Sequence, residues 1–204
     1  MYKINEIFTS ISGEANGHFQ GRITTFIRFS GCNLKCSYCD TKHKKHQILS
    51  SSSIIAKMAL TEPSYICLTG GEPLIQPDID ILMKKLCSEG HKLSVETNGT
   101  VDITPYFRFI DSFVIDYKLE YPDKMIMSNF ELLRDSDIIK FVVKDSEQFL
   151  VALRIAEEFY KMGSKNIAFS PIKGFEETLA KALISFRVPY AIYSVQLHKI
   201  LGLR

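Results

Sequence analysis

Three cysteines, Cys32, Cys36 and Cys39, lie four and then three residues apart in the run Cys32-Asn33-Leu34-Lys35-Cys36-Ser37-Tyr38-Cys39, directly after an apolar stretch from Phe26 to Phe29. Three thiols are an incomplete ligand set. A structural zinc site takes four protein ligands, and ferredoxin-type clusters normally give every iron a cysteine. Sulfurs on one short loop are close enough to hold three corners of a cubic 4Fe-4S cluster, leaving the fourth iron open to chelate a small molecule. Tetrahedral zinc completed by His43 or His46 is the other chemistry this spacing permits.

Such a loop needs a rigid frame, and the chain around it alternates strand-like and helix-like stretches. Thr24 to Ser30 reads as a strand that delivers the cysteines at its C-terminal end. Ser50 to Ser53 cap a short amphipathic helix from Ile54 to Leu60. Tyr65 to Leu68 reads as a buried strand ending in Thr69-Gly70-Gly71-Glu72-Pro73, followed by a helix from Asp78 to Leu86. Further strands are expected at Leu93 to Gly99, Phe113 to Lys118, Ile138 to Val143, Asn166 to Ser170 and Ala191 to Leu197. Asp145 with Gln148 forms a capping-box pattern that opens a helix ended by Gly163, and Glu176 to Phe186 is another helix. Glu120 to Leu133 is irregular, turning briefly helical from Asn129. The alternation predicts an α/β fold: an open partial (β/α) barrel of about six parallel strands, with the site on the C-terminal rim.

The chain has 204 residues, 46% hydrophobic and 24% charged, which suits a single domain over residues 1–204. A net charge of +2 argues against direct nucleic-acid binding through phosphate neutralisation. No apolar run reaches the roughly 18 residues needed to span a bilayer, so no membrane partner and a cytoplasmic location are expected. The five cysteines are odd in number and three are crowded, which is no disulfide framework; Cys67 and Cys87 read as small core residues.

The spacing Cys-x-x-x-Cys-x-x-Cys, with Tyr38 just before the last thiol, resembles the cluster loop of the radical S-adenosylmethionine enzymes. Ser12-Gly13-Glu14, the run Phe26 to Leu34 and Cys39-Asp40-Thr41 narrow that resemblance to the 7-carboxy-7-deazaguanine synthase family of queuosine biosynthesis. The resemblance implies a 4Fe-4S cluster on Cys32, Cys36 and Cys39, Mg2+ on Thr41, and S-adenosylmethionine held by Tyr38, Gly70, Gly71, Glu72, Glu96, Asn98 and Lys118. It implies a pterin bound by Glu14, Arg28, Thr69 and His198, no catalytic residue beyond the cofactors, an external electron donor of flavodoxin or ferredoxin type, and a homodimer. The residue types suit these roles. Glycines let backbone approach a ligand, a carboxylate binds an ammonium or a guanidine-like edge, and a guanidinium fork matches a carboxylate.

Two departures stand out. Ala15 replaces the glycine usual after Ser-Gly-Glu, and Asp116-Tyr117-Lys118 stands where many members carry Ser-Pro-Lys, which makes the roles of Asp116 and Lys118 less transferable. The competing readings are an activase that takes hydrogen from a glycine of a partner enzyme, and a non-catalytic zinc or iron-sulfur module. Glu14, Arg28, Thr41 and His198 favour a small-molecule site over the first, and the second leaves the Gly70 to Glu72 turn unexplained. Cys36→Ala is expected to abolish cluster uptake and activity together; iron and sulfide analysis with an activity assay checks it, and turnover in the variant would refute the cluster reading.

Overall fold

The computed structural model describes residues 1–39, 46–58 and 64–203. Thr41 and His43 thus lie outside the described residues. The strands are β1 (Tyr2–Ile11), β2 (Ile23–Phe29), β3 (Gln47–Leu49), β4 (Tyr65–Gly70), β5 (Lys92–Thr97), β6 (Ser112–Asp116), β7 (Ile138–Val143), β8 (Ile167–Pro171) and β9 (Ala191–Tyr193). The helices are α1 (Ser51–Met58), α2 (Ile79–Ser88), α3 (Ser128–Glu131), α4 (Ser146–Lys161), α5 (Glu176–Ser185) and α6 (Leu197–Ile200).

The nine strands among the described residues join one sheet in the order β3-β1-β2-β4-β5-β6-β7-β8-β9, with β3 and β9 at its edges. From β2 to β9 every neighbouring pair is parallel. That makes seven parallel strands, and β1 and β3 add an antiparallel flap at one side. The flap was not legible as strand: β1 mixes Lys3, Asn5, Glu6, Thr9 and Ser10 with its apolar residues and is only partly buried. The ends of the sheet curl toward each other, because the Ala15 amide after β1 donates to Ser194 Oγ after β9 at 3.0 Å. The result is an open partial barrel.

Alternation along the parallel strands divides the residues between two faces. Ile27 and Phe29, Ile66 and Leu68, Leu93 and Val95, Phe113 and Ile115, Ile139, Phe141 and Val143, and Ile167 and Phe169 point outward into one core. There they meet Ile54 of α1, Leu82 and Leu86 of α2, Phe149, Ala156 and Phe159 of α4, and Leu179 of α5. Each large apolar side chain removed from water there contributes about 1.5–3 kcal/mol. The intervening residues face inward and are mostly polar: Arg28, Thr69, Ser94, Glu96, Ser112, Asp116, Lys140 and Ser170. A small second cluster of Ala15, Ile138 and Ala168 lines the inner face.

Local signals held where they were strong. Asp145 caps α4, its carboxylate accepting from the Gln148 amide at 2.8 Å, and Ser50 Oγ accepts from the Ser53 amide at the start of α1. The last strand is shorter than expected. It stops at Tyr193, and the Leu197 amide donates to Gly13 O, so the chain leaves the sheet and turns into α6 with His198 inside it. In the irregular stretch, Asn129 is fully buried. Its amide group donates to Gly99 O and Val101 O and its Oδ1 accepts from the Ile103 amide, pinning the loop after β5. Asn129→Ala strands those groups and is expected to lower stability by about 1–3 kcal/mol, read from chemical denaturation midpoints.

Candidate active site

At the C-terminal end of β2, Gly31 leads into the cysteine loop. The loop is held on two sides. On one side Asn98, following β5, donates to Asn33 Oδ1 at 2.9 Å and to Cys32 Sγ at 3.6 Å, and Asn33 in turn donates to Thr100 Oγ1 at 2.7 Å. On the other, Glu120 accepts from the Ser37 amide at 2.9 Å and from the Ser37 hydroxyl, and the Tyr121 hydroxyl donates to Lys35 O at 2.7 Å. All three cysteines are free thiols, Cys32 and Cys36 partly exposed and Cys39 exposed. Burial pushes the Cys36 thiol up, with Lys118 pulling it down and Glu120, Cys32 and Cys39 adding to the rise. Among the described residues no three His, Cys, Asp or Glu side chains converge as ligands of a single ion. A cubic cluster asks for no such convergence, because each thiolate binds its own iron.

The glycine turn after β4 lies against this loop. The Gly71 amide donates to Phe29 O at 3.0 Å and the Glu72 amide to Gly31 O at 2.9 Å. Gly70 has φ +116, and a Cβ there would sit 2.3 Å from Phe29 O, so only glycine permits the approach. Glu72 is fully buried and accepts from the Leu74 amide at 3.0 Å, the Thr97 hydroxyl at 2.8 Å and the Asn98 amide at 2.7 Å. Burial pushes its carboxyl up to about 7 against those three hydrogen bonds, which favour the charged form.

Below the loop a polar row crosses the barrel interior strand by strand. Glu6 of β1 pairs with Arg28 Nε of β2 at 3.0 Å, and the Arg28 guanidinium lies over the Phe8 ring. Arg28 stands beside Thr69 of β4, whose hydroxyl donates to Glu96 of β5 at 2.6 Å. Asp116 of β6 stands beside Lys140 of β7, with Nζ to Oδ1 at 3.2 Å. Lys140 Nζ also reaches Glu14 at 2.8 Å, and Gln196 donates to the other Glu14 oxygen at 2.6 Å. Burial works against charge here, but Lys140, Gln196 and His198 outweigh it and hold Glu14 down to about 2. The same geometry keeps the Lys140 ammonium well above its ordinary range despite burial, through Asp116, Glu14 and Glu96. Burial and the Glu14 charge raise Glu96. Between row and loop, Lys118 pairs with Asp116 at 2.8 Å and lies over the Tyr38 ring.

Residues 26–114 match the Radical SAM superfamily. The chain is 36% identical to a 7-carboxy-7-deazaguanine synthase of Clostridium acetobutylicum, over 98% of this chain and 96% of that one. It is 38% identical to the enzyme of that name from Methanospirillum hungatei, over 98% of this chain and 86% of the relative. The chain belongs to the 7-carboxy-7-deazaguanine synthase family. The fold agrees: a crystal structure of QueE from Escherichia coli superposes with a TM-score of 0.71 at 24% identity, covering 97% of this chain and 94% of that one. As a radical SAM family member, the chain takes a 4Fe-4S cluster and S-adenosylmethionine as cofactors. Its loop of three free thiols, with N–H donors aimed at Cys32 Sγ, fits the cluster.

Among the family residues expected from sequence, Cys32, Cys36, Cys39, Tyr38, Gly70, Gly71, Asn98 and Lys118 gather at the mouth, and Glu14, Arg28, Thr69 and Glu96 line the interior. Glu72 lies behind the mouth with no accessible surface, so the reachable part of the turn is Gly70 and Gly71. Asn98 does the turn capping that its type predicts, its Oδ1 accepting from the Thr100 amide at 3.1 Å, and it also ties the cysteine loop. His198 packs so closely on residue 13 that a Cβ at Gly13 would lie 2.9 Å from its Nδ1. Ala15 shows no positive φ; its methyl is buried beside Ile138 and Ala168. Cys67 is buried as expected, though on the inner face beside Ser94 and Glu96.

The sequence reading missed Lys140, Glu120, Tyr121, Asn33 and Glu6. Lys140 carried a usable signal, being the lone charge within an apolar strand. The clamps from residues 120 and 121 carried none, because they act across 83 and 86 positions of sequence.

Glu72 titrates above the unfolded carboxylate range, so its contribution to stability is complete below that range and is lost as pH rises through about 7. The denaturation midpoint is therefore expected to fall between about pH 4.5 and 7 in the wild-type protein and to fall less steeply over that window in Glu72→Gln. Equal slopes in pH-dependent melts would refute the assignment.

Proposed function

We propose that this chain is a radical S-adenosylmethionine lyase that converts 6-carboxy-5,6,7,8-tetrahydropterin into 7-carboxy-7-deazaguanine with loss of ammonia. One observation carries the reading beyond family membership: the cysteine loop follows the C-terminal end of β2, and the inward side chains of the same sheet form a polar row ending in a buried carboxylate, Glu14, gripped by Lys140 at 2.8 Å and Gln196 at 2.6 Å. A peptide-binding groove has no use for such a row. When bound, the cluster and S-adenosylmethionine would supply the radical chemistry.

The protein's part is to hold and orient. Cys32, Cys36 and Cys39 hold the cluster. Gly70 and Gly71 offer backbone to the methionyl group, and Tyr38, Glu96, Asn98 and Lys118 face the nucleoside and carboxylate of S-adenosylmethionine. Glu72 acts from behind, fixing the turn and the start of the Asn98 loop through its three hydrogen bonds. Glu14 accepts from the guanidine-like edge of the pterin, since a charged carboxylate is the stronger acceptor. The Arg28 guanidinium, steered by Glu6 and Phe8, suits the substrate carboxylate. Thr69 and His198 complete the substrate contacts.

Mg2+ on Thr41, an external flavodoxin- or ferredoxin-type donor and a homodimer complete the reading. Among the described residues no helix is long and apolar enough to cross a membrane.

The test is anaerobic. The cluster-loaded protein, with S-adenosylmethionine, dithionite, magnesium and the tetrahydropterin, is expected to yield 7-carboxy-7-deazaguanine by mass spectrometry, and Thr41→Ala to lose most of the response to added magnesium. 5′-Deoxyadenosine without that product would reject the substrate, and full magnesium response in the variant would reject the Thr41 role.

A further inference from the structure

Lys140 is outside every role assigned so far, yet it is a nearly buried charge set among carboxylates of three different segments. Its side chain is 8% exposed, and its ammonium lies 2.8 Å from Glu14 Oε2 and 3.2 Å from Asp116 Oδ1. Glu96 adds a third negative charge nearby. A buried ammonium with three carboxylates around it does more than fill space. Leaving Glu14 ionised without it would place a charge that has lost its ammonium partner in a low-dielectric interior, and such a group takes up a proton instead.

We infer that Lys140 is a positioning residue for the pterin: its ammonium keeps Glu14 ionised and fixes the plane of that carboxylate, so that Glu14 can accept from the substrate. The inference rests on the proposed pterin site. The carboxylate is gripped from two sides, by Lys140 on Oε2 and by Gln196 on Oε1, which sets its orientation through contacts 126 and 182 residues away in sequence. Only the Lys140 contact brings a full charge. Gln196 is neutral and can hydrogen-bond either protonation state of Glu14.

Asp116 divides the Lys140 ammonium with Glu14 and is itself paired with Lys118 at 2.8 Å. The chain Lys118, Asp116, Lys140, Glu14 therefore links the mouth to the interior as alternating charges. Other groups facing Glu14 are His198 of α6, Glu96 of β5 and the Cys67 thiol of β4. With Lys140 removed, burial and the Glu96 charge both act to raise Glu14, and the two carboxyls compete for one proton as a coupled pair.

The experiment uses the anaerobically loaded full chain in four forms: wild type, Lys140→Met, Glu14→Gln, and the double variant, with Lys140→Arg as the charge-conserving control. Infrared difference spectra at neutral pH report protonated carboxyl directly. In difference against wild type, Lys140→Met is expected to show an added carboxylic-acid band, beyond the contribution of Glu72, that Lys140→Arg does not add and that the double variant loses; absence of the added band overturns the inference. Binding of 6-carboxypterin, followed by its own fluorescence, is expected to weaken about tenfold or more in Lys140→Met, to recover as pH is raised, and to be largely restored in Lys140→Arg. Weakened binding with no pH recovery would mean a merely structural role. Failure of the wild-type protein to bind the pterin at all would defeat the proposed function, while the infrared bands still decide whether Lys140 sets the charge of Glu14.

Discussion

Taking an ammonium group out of water costs several kcal/mol unless anions and hydrogen bonds replace the lost hydration. Lys140 obtains that replacement from Asp116, one strand away, and from Glu14, which the chain brings into the barrel after β1. The arrangement works in both directions: Glu14 depends on the Lys140 ammonium for its charge partner, while Asp116 shares Lys140 with Lys118. Much of the interior can be understood from this exchange. The segment after β1 must enter the barrel to deliver Glu14, Ala15 must be small enough to lie beside Ile138 and Ala168, and Gly13 must lack a side chain where His198 crosses it.

The mouth is built on a different principle. The cysteine loop has little core of its own; Leu34 is its one buried residue. Its shape comes from neighbours that reach over from the ends of β5 and β6: Asn98 and Thr100 on one flank, Glu120 and Tyr121 on the other. Those flanking turns are themselves braced by Glu72 and Asn129, whose side chains are fully buried and satisfied by backbone donors and acceptors. Groups with no access to solvent thus determine where exposed thiols stand.

This division explains what could be read from sequence. Period-two patterns and turn residues located β2 and β4 to β8, and the capping pair Asp145 and Gln148 located α4, because those signals are local. The cysteine spacing and the Gly70-Gly71-Glu72 turn were legible as chemistry for the same reason. β1 was illegible because an antiparallel strand with one face toward a polar interior need not look apolar, and its partner β2 lies a dozen residues later. The end of β9 was misplaced because apolar Leu197 suits a strand by type, while its amide finds Gly13 instead of the sheet. Glu72 was placed in ligand contact on residue type; its burial follows from the positions of Leu74, Thr97 and Asn98, which only the fold brings together.

The bonds from Ser194 to Ala15 and from Gln196 to Glu14 span 179 and 182 residues of chain. Contacts that close loops of this size are unfavourable in conformational entropy until the intervening sheet has formed, so they come late in folding. The ties on the cysteine loop close much shorter spans, 65 to 86 residues. By loop-closure entropy alone, the Glu14 corner is harder to close than the cysteine loop by about 1 kcal/mol.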